Sequence, residues 1–213
     1  MRLAVLWDLD GTLVDSADDH FESWVEALRA EARSVTRDQF DASFGQRNDR
    51  ILADWLGPDT SSDLVRRIAD AKEAAYRRLV REPRLEPLPG AARWVALLHA
   101  EGWHQAIASS APRLNVEVVL DVLGWNRYFG AIVASEDVRR GKPEPDVFLT
   151  AAARLGAPPA RCIVVEDAQA GIEAARRGGM RSIGVGASAS VASPDVAVPS
   201  LTALTPDVWE RLV

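Results

Sequence analysis

Asp8 and Asp10 stand one residue apart at the end of the apolar run Leu3–Leu9, in the stretch "LAVLWDLDGTLVDS". A buried carboxylate costs several kcal/mol unless a charge partner offsets it. An Asp-Gly turn accounts for Asp10 and Gly11 but leaves Asp8 uncompensated at the end of a hydrophobic strand. A second apolar run, Cys162–Val165, ends in the acids Glu166 and Asp167. Carboxylates gathered at one edge of a sheet repel unless a cation sits among them. Oxygen ligands with no nearby His or Cys favour a hard ion, and Mg²⁺ is the expected choice, with Asp8, Asp10, Glu166 and Asp167 as its ligand set. Asp167 can also cap a helix starting near Ala168, which is compatible with metal binding. Two further stretches end or begin elements on the same predicted edge. "IASSA" (Ile107 to Ala111) supplies the hydroxyls of Ser109 and Ser110, and "GKPEPD" (Gly141 to Asp146) supplies Lys142. Alone, Ser109 reads as a helix cap and Lys142 as a solvated lysine. Their shared position at strand-to-helix junctions gives both a place beside the acids.

The elements that must position these residues follow from periodicity. Short apolar runs at Leu3–Leu9, Gln105–Ala108, Ala131–Ala134, Cys162–Val165 and Ser182–Val185 read as buried strands. Helical stretches lie between them at Ala91–Ala100, Leu114–Leu123 and Asp146–Leu155. Continuous apolar strands alternating with helices predict an α/β, doubly wound (Rossmann-like) parallel sheet covered on both faces. Residues 16–86 differ: their periodicity is helical throughout, predicting an all-helical domain inserted after the first strand, with residues 1–15 and 87–213 forming a discontinuous core. Phe21, Trp24, Val25 and Leu28 define one apolar face, with Ser16 as cap and Asp18 and Asp19 in the first turn. Leu64, Ile68, Ala71, Ala75 and Leu79 define a second helix. Such an insertion is placed to act as a lid over the carboxyl ends of the strands, where α/β sheets bind ligands. "EPRLEPLPG" (Glu82 to Gly90) reads as a connector and "GASASVASP" (Gly186 to Pro194) as a mobile loop. The final stretch predicts a short helix capped by Thr205 with Pro206 at its first position.

Composition bounds the rest. The chain has 213 residues, 47% hydrophobic and 26% charged, with a formal net charge of −6. That balance suits an ordinary globular protein and argues against a nucleic-acid surface, while leaving room for a small phosphorylated ligand. Cys162 is the only cysteine, so no internal disulfide forms; a buried structural thiol in a reducing compartment is expected. The N-terminal apolar run is interrupted by Asp8, too soon for a secretory or membrane segment, so a cytoplasmic protein without membrane partners is expected. A monomer is expected rather than an oligomer, although no residue pattern speaks to the oligomeric state. Seven tryptophans scatter along the chain and form no repeat or stacking box.

"DLDGT", "SS" after a strand, "GKPEPD" and "VVEDAQAGIEAA" together, in this order, resemble the motifs of the haloacid dehalogenase (HAD) superfamily. The resemblance covers nearly the whole chain, including a helical (C1-type) cap. It points to the subgroup holding phosphoglycolate phosphatase, small sugar-phosphate phosphatases and beta-phosphoglucomutase. It implies that Asp8 is a nucleophile attacking phosphorus to form an aspartyl phosphate, and that Asp10 is the general acid, then the general base. It implies Mg²⁺ held by Asp8, the Asp10 backbone carbonyl and Asp167, with Glu166 a further ligand or a partner of the ligands. Lys142 would add positive charge, and Ser109 with backbone N–H groups around Leu9 and Asp10 would bind phosphoryl oxygens. Thr12 would steady the loop. Because displacing halide needs no proton for the leaving group, and the family's dehalogenases lack the second aspartate, Asp10 points to phosphoryl transfer.

The resemblance also separates two activities. "HFESW" (His20 to Trp24) and Lys72 in "KEAAY" resemble the mutase's hinge histidine and substrate-contacting lysine. Aligned through Gly45, however, the arginine that grips the mutase's second phosphate matches Asn48, with Arg47 adjacent but turned by roughly 100° on a helix. Ala111 and Pro112 stand where the mutase carries phosphate-binding side chains. The expectation is therefore a phosphatase of small phosphomonoesters, with a mutase as the alternative. A non-enzymatic binding protein on the same scaffold is disfavoured because Asp8 is intact.

Overall fold

The computed structural model describes residues 3–82, 85–187 and 191–212. Strand β1 (Ala4–Trp7) is followed by helices α1 (Ala17–Ala30), α2 (Arg37–Asp41), α3 (Asn48–Leu56) and α4 (Ser62–Leu79). Then come α5 (Ala91–Ala100), β2 (His104–Ala108), α6 (Arg113–Leu123), β3 (Ala131–Val133), α7 (Asp146–Leu155), β4 (Cys162–Glu166), α8 (Gln169–Arg177), β5 (Arg181–Val185) and β6 (Val196–Val198). The C-terminal helix α9 spans Asp207–Arg211. The chain forms two compact units, Met1–Asp15 with Glu86–Val213, and Ser16–Leu85.

The first unit is a six-stranded sheet in the order β3-β2-β1-β4-β5-β6, every pair parallel. This is the doubly wound architecture expected. β1 is central and buried along its whole length because helices cover both faces. Alternation of side chains divides it: Ala4 and Leu6 join Val147, Phe148, Ala151 and Ala174 of α7 and α8 on one side. On the other, Trp7 meets Trp209 with ring centroids 5.9 Å apart. Trp94 and Trp103 also pack on Trp209, at 5.4 and 6.2 Å, so tryptophans that scatter in sequence converge in space and anchor α9. That corrects the reading of no stacking box. Buried Gln105 accepts from Trp7 Nε1 and donates to the Val95 carbonyl, both at 2.9 Å, which satisfies its amide inside the core.

The second unit packs Trp24, Ala27, Leu28, Phe40, Ile51, Leu52 and Ile68 into its own core. Val25, expected on the apolar face of α1, is instead 38% exposed, since the buried stripe runs through Trp24, Ala27 and Leu28.

Several local expectations are corrected. Ser16 stands before α1, but its backbone (φ −112, ψ 4) is not extended and its side chain makes no capping bond. Pro206 precedes α9 rather than opening it, and Thr205 Oγ1 donates to Asp207 Oδ1 at 2.5 Å without capping the helix. β6 was not anticipated: it is three residues long, edge-placed and bounded closely by Pro194 and Pro199, a context that reads as loop. Of the stretch read as a mobile loop, residues 188–190 lie outside the described residues, as do residues 83 and 84 of the connector.

Candidate active site

The adjacent strands β1 and β4 deliver the acids together. Trp7 pairs with Val165, and the Asp8 N–H donates to the Val165 carbonyl at 3.0 Å, so Asp8 leaves β1 beside Glu166, the last residue of β4. The chain then turns. Gly11 takes a φ of 85°, where a side chain would be strained, and the Leu9 carbonyl accepts from the N–H groups of Leu13 and Val14 at 2.9 and 3.1 Å. Thr12 closes the turn onto the end of β4: its Oγ1 donates to Asp167 Oδ1 at 2.9 Å. Asp8, Glu166 and Asp167 thus offer carboxylate oxygens within 4.8 Å of one another. The Asp10 side chain is not part of that group; Asp10 lies on the turn that follows β1.

Lys142 supplies the counter-charge. Its Nζ donates to Asp8 Oδ1 at 2.5 Å and to Glu166 Oε1 at 2.6 Å, with only 5% of its side chain exposed. The loop that carries it is tied by Arg140 to Asp146 at 2.7 Å and by Arg177 to Glu144 at 2.9 Å. Glu166 Oε2 accepts from the Ala168 N–H at 2.7 Å, so both oxygens of Glu166 are engaged. This corrects the capping expectation: Ala168 is the residue before α8, and it is Glu166, not Asp167, that reaches its N–H.

Ser109 follows β2, the other neighbour of β1; the Trp7–Ile107 pairing brings it to the level of Leu9. Its N–H donates to the Val133 carbonyl and its Oγ accepts from the Ala111 N–H, both at 3.0 Å. It therefore shapes the turn before α6, whose N-cap is Pro112. Ser110 is half-buried in that turn.

The electrostatics follow from three neighbouring acids and one ammonium, which bonds two of them. Burial, reinforced by repulsion from Glu166 and Asp167, pushes the Asp8 carboxyl well above the ordinary range, although Lys142 opposes the shift. Burial and Glu166 together push Asp167 up to about 7. Burial pulls the Lys142 ammonium down, but Asp8 and Glu166 outweigh it and its pKa ends above the usual lysine value. The cluster is short of positive charge. Its all-oxygen donors, close enough to share one ion, fit a hard divalent cation such as Mg²⁺. Cys162 stays a structural thiol, fully buried, with its pKa raised to about 11 by that burial.

In the helical unit, three of the residues singled out in sequence come together. Lys72 Nζ lies 3.0 Å from His20 Nδ1 and donates to Glu73 Oε1 at 2.9 Å, while Asn48 Nδ2 donates to the same oxygen at 2.6 Å. His20 stacks on Tyr76 at 3.9 Å, and Lys72 Nζ sits 5.3 Å from both the Trp24 and Tyr76 rings. Arg47 precedes α3, where its Nε pairs with Asp49 at 3.4 Å. Glu73 was missed, and the Lys-Glu step in "KEAAY" was its only trace in sequence.

The model of the haloacid dehalogenase-like hydrolase family matches residues 3–179. Beta-phosphoglucomutase of Bacillus subtilis is 33% identical, across 98% of this chain and 96% of its own length. A fructose-1-phosphate phosphatase of Escherichia coli is 31% identical, across 85% of this chain and 95% of its own. The crystal structure of beta-phosphoglucomutase from Clostridium difficile superposes with a TM-score of 0.88 at 27% identity, covering 100% of this chain and 97% of that one. The chain belongs to the haloacid dehalogenase-like hydrolase family, as an enzyme of its phosphatase type. Among the described residues, no helix is long and apolar enough to cross a membrane.

Proposed function

We propose that this chain is a Mg²⁺-dependent phosphatase of small phosphomonoesters, sugar phosphates or phosphoglycolate-like compounds, working through an aspartyl phosphate on Asp8. The observation that carries the reading is the Lys142 ammonium bonded to Asp8 at 2.5 Å beside the acids Glu166 and Asp167. An Asp8 oxygen attacks phosphorus as the bond to the leaving alcohol breaks, and Asp10 gives that alcohol its proton. Asp10 then takes a proton from water, which attacks phosphorus, frees inorganic phosphate and restores Asp8. A carboxylate approaching a phosphate dianion is repelled, so Lys142 lowers the barrier by facing both. Asp8, Asp167 and the Asp10 carbonyl would hold Mg²⁺, with Glu166 keeping Lys142 in place. When bound there, the ion would supply Lewis-acid polarisation of the phosphoryl oxygens. Ser109 and the N–H groups around Leu9 and Asp10 would bind those oxygens, with Ser110 close by. The helical unit, Ser16–Leu85, would act as the cap domain, with His20, Lys72, Asn48 and Arg47 selecting the substrate.

The similarity to beta-phosphoglucomutase favours a second reading, a phosphosugar mutase. Asn48 argues against it: this amide, engaged by Glu73, stands at the position aligned with the mutase's phosphate-gripping arginine. A panel of phosphate esters that includes fructose 1-phosphate, assayed with and without EDTA, tests the main reading. Phosphate release that stops with EDTA and in Asp8→Asn is expected; release that survives Asp8→Asn overturns the mechanism. With beta-glucose 1-phosphate and a trace of glucose 1,6-bisphosphate, glucose 6-phosphate formed without phosphate release would decide for the mutase.

A further inference from the structure

Gly171 lies in the first turn of α8, beneath the Glu166 carboxylate. A Cβ at this position would fall 1.9 Å from Glu166 Oε1, 2.0 Å from Cδ and 2.5 Å from Cγ. Its backbone is helical, a conformation in which alanine is the better residue. Backbone freedom therefore does not explain a glycine here; space does. Nor can Glu166 easily swing aside. It is 1% exposed, its Cγ is caught as well as its oxygens, Oε2 is held by the Ala168 N–H and Oε1 by Lys142.

We infer that Gly171 is a positioning residue, whose missing side chain forms the slot that holds Glu166 against Lys142 and, through it, Lys142 against Asp8. A methyl group at 171 must expel the Glu166 carboxylate from between the Ala168 N–H and Lys142. Lys142 then loses one of its two anionic partners and the fixed direction of approach to the nucleophile. A displacement of about 1 Å at a catalytic group can cost on the order of 100-fold in rate. Because Lys142 acts on charge that develops during transfer, the loss falls on kcat rather than KM.

The catalytic half of this inference rests on the phosphatase reading; the packing half does not, and the test separates them. Gly171→Ala, Glu166→Asp and the double variant are compared by thermal midpoint and by kcat and KM on p-nitrophenyl phosphate with Mg²⁺. Asp is one methylene shorter and retracts from the added methyl. Gly171→Ala is expected to lower the midpoint and to cut kcat about 100-fold with KM nearly unchanged. In the Glu166→Asp background the same substitution should cost no stability and should raise kcat at least tenfold over Gly171→Ala alone. If Gly171→Ala fails to fold while the double variant folds, the slot is likewise supported. A Gly171→Ala enzyme with wild-type kcat, or an equal loss of stability or folding in both backgrounds, overturns the inference. Should the wild type release no phosphate, the phosphatase reading fails, and the stability comparison still decides whether Gly171 makes room for Glu166.

Discussion

At the scale of single residues, charge balance around Lys142 governs the site. The ammonium is shared by Asp8 and Glu166, and Asp167 stands close enough to raise the demand for positive charge. Lys142→Met keeps much of the volume and the contact with the Phe148 ring, 5.1 Å from Nζ, but removes the charge. Deleting one preorganised donor from a transition-state site costs about 10²–10³ in rate. Lys142→Met is therefore expected to lower kcat on the best ester of the panel by that order. Initial-rate kinetics at saturating Mg²⁺ measure it, and a loss under about threefold would remove Lys142 from the machinery. Asp8, Lys142, Glu166 and Asp167 were all legible in the sequence, because the acids end apolar strands and Lys142 stands in a strand-to-helix connection that the topology brings to the same edge. Which acid Lys142 joins was not legible, since that depends on side-chain packing. Neither was Glu73, whose pairing with Lys72 and Asn48 needs two helices to meet.

Elements hold these residues through ties away from the chemistry. The Asp137 carboxylate accepts from the Ala134 N–H at 2.8 Å, from Arg113 of α6 at 2.5 Å and from Arg154 of α7 at 2.7 Å. Ser135 N–H also donates to the Ala111 carbonyl at 3.0 Å, so the segment after β3 braces the turn that carries Ser109. The Arg154 hydrogen bonds, foremost among several causes, hold the Asp137 carboxyl below the ordinary carboxylate range. A depressed folded-state pKa adds stability that is present above the unfolded value, about 3.9, and is lost as pH falls through the folded one. Asp137→Asn should thus lower stability by about 1–3 kcal/mol at neutral pH, with the gap closing below about pH 4. Thermal melts of both proteins from pH 7 to pH 3 measure it; a gap independent of pH would mean that Asp137 acts through shape rather than charge. The five strands read from sequence were visible because buried parallel strands are continuous apolar runs. β6 was not, because three residues hemmed by prolines carry no such run. The tryptophan cluster was hidden because Trp7, Trp94, Trp103 and Trp209 meet only after the sheet has formed.

At the scale of the whole molecule, the two units carry separate apolar clusters. Leu6, Val164 and Phe148 belong to one, Trp24, Leu52 and Ile68 to the other, and no residue is common to both. The helical unit also carries polar bonds of its own, Lys72 to Glu73 and His20 and Asn48 to Glu73. Each unit therefore has an apolar core of its own, which is what independent folding first requires. A cavity made in one should then be felt in that one. Leu52 is fully buried, so Leu52→Ala removes packed methylene and methyl groups at a cost of about 2–5 kcal/mol. For a unit of this size, each kcal/mol lowers the midpoint by about 4–8 °C. Calorimetry of Leu52→Ala should show two transitions, the lower moved down by 10 °C or more on this estimate and the upper unchanged. The upper transition, belonging to the unit that carries Asp8, should rise when Mg²⁺ is added, because a ligand of the folded state alone stabilises it by mass action. A single transition that moves as one under Leu52→Ala would mean that the two cores melt cooperatively, and that the helical unit contributes to the stability of the sheet.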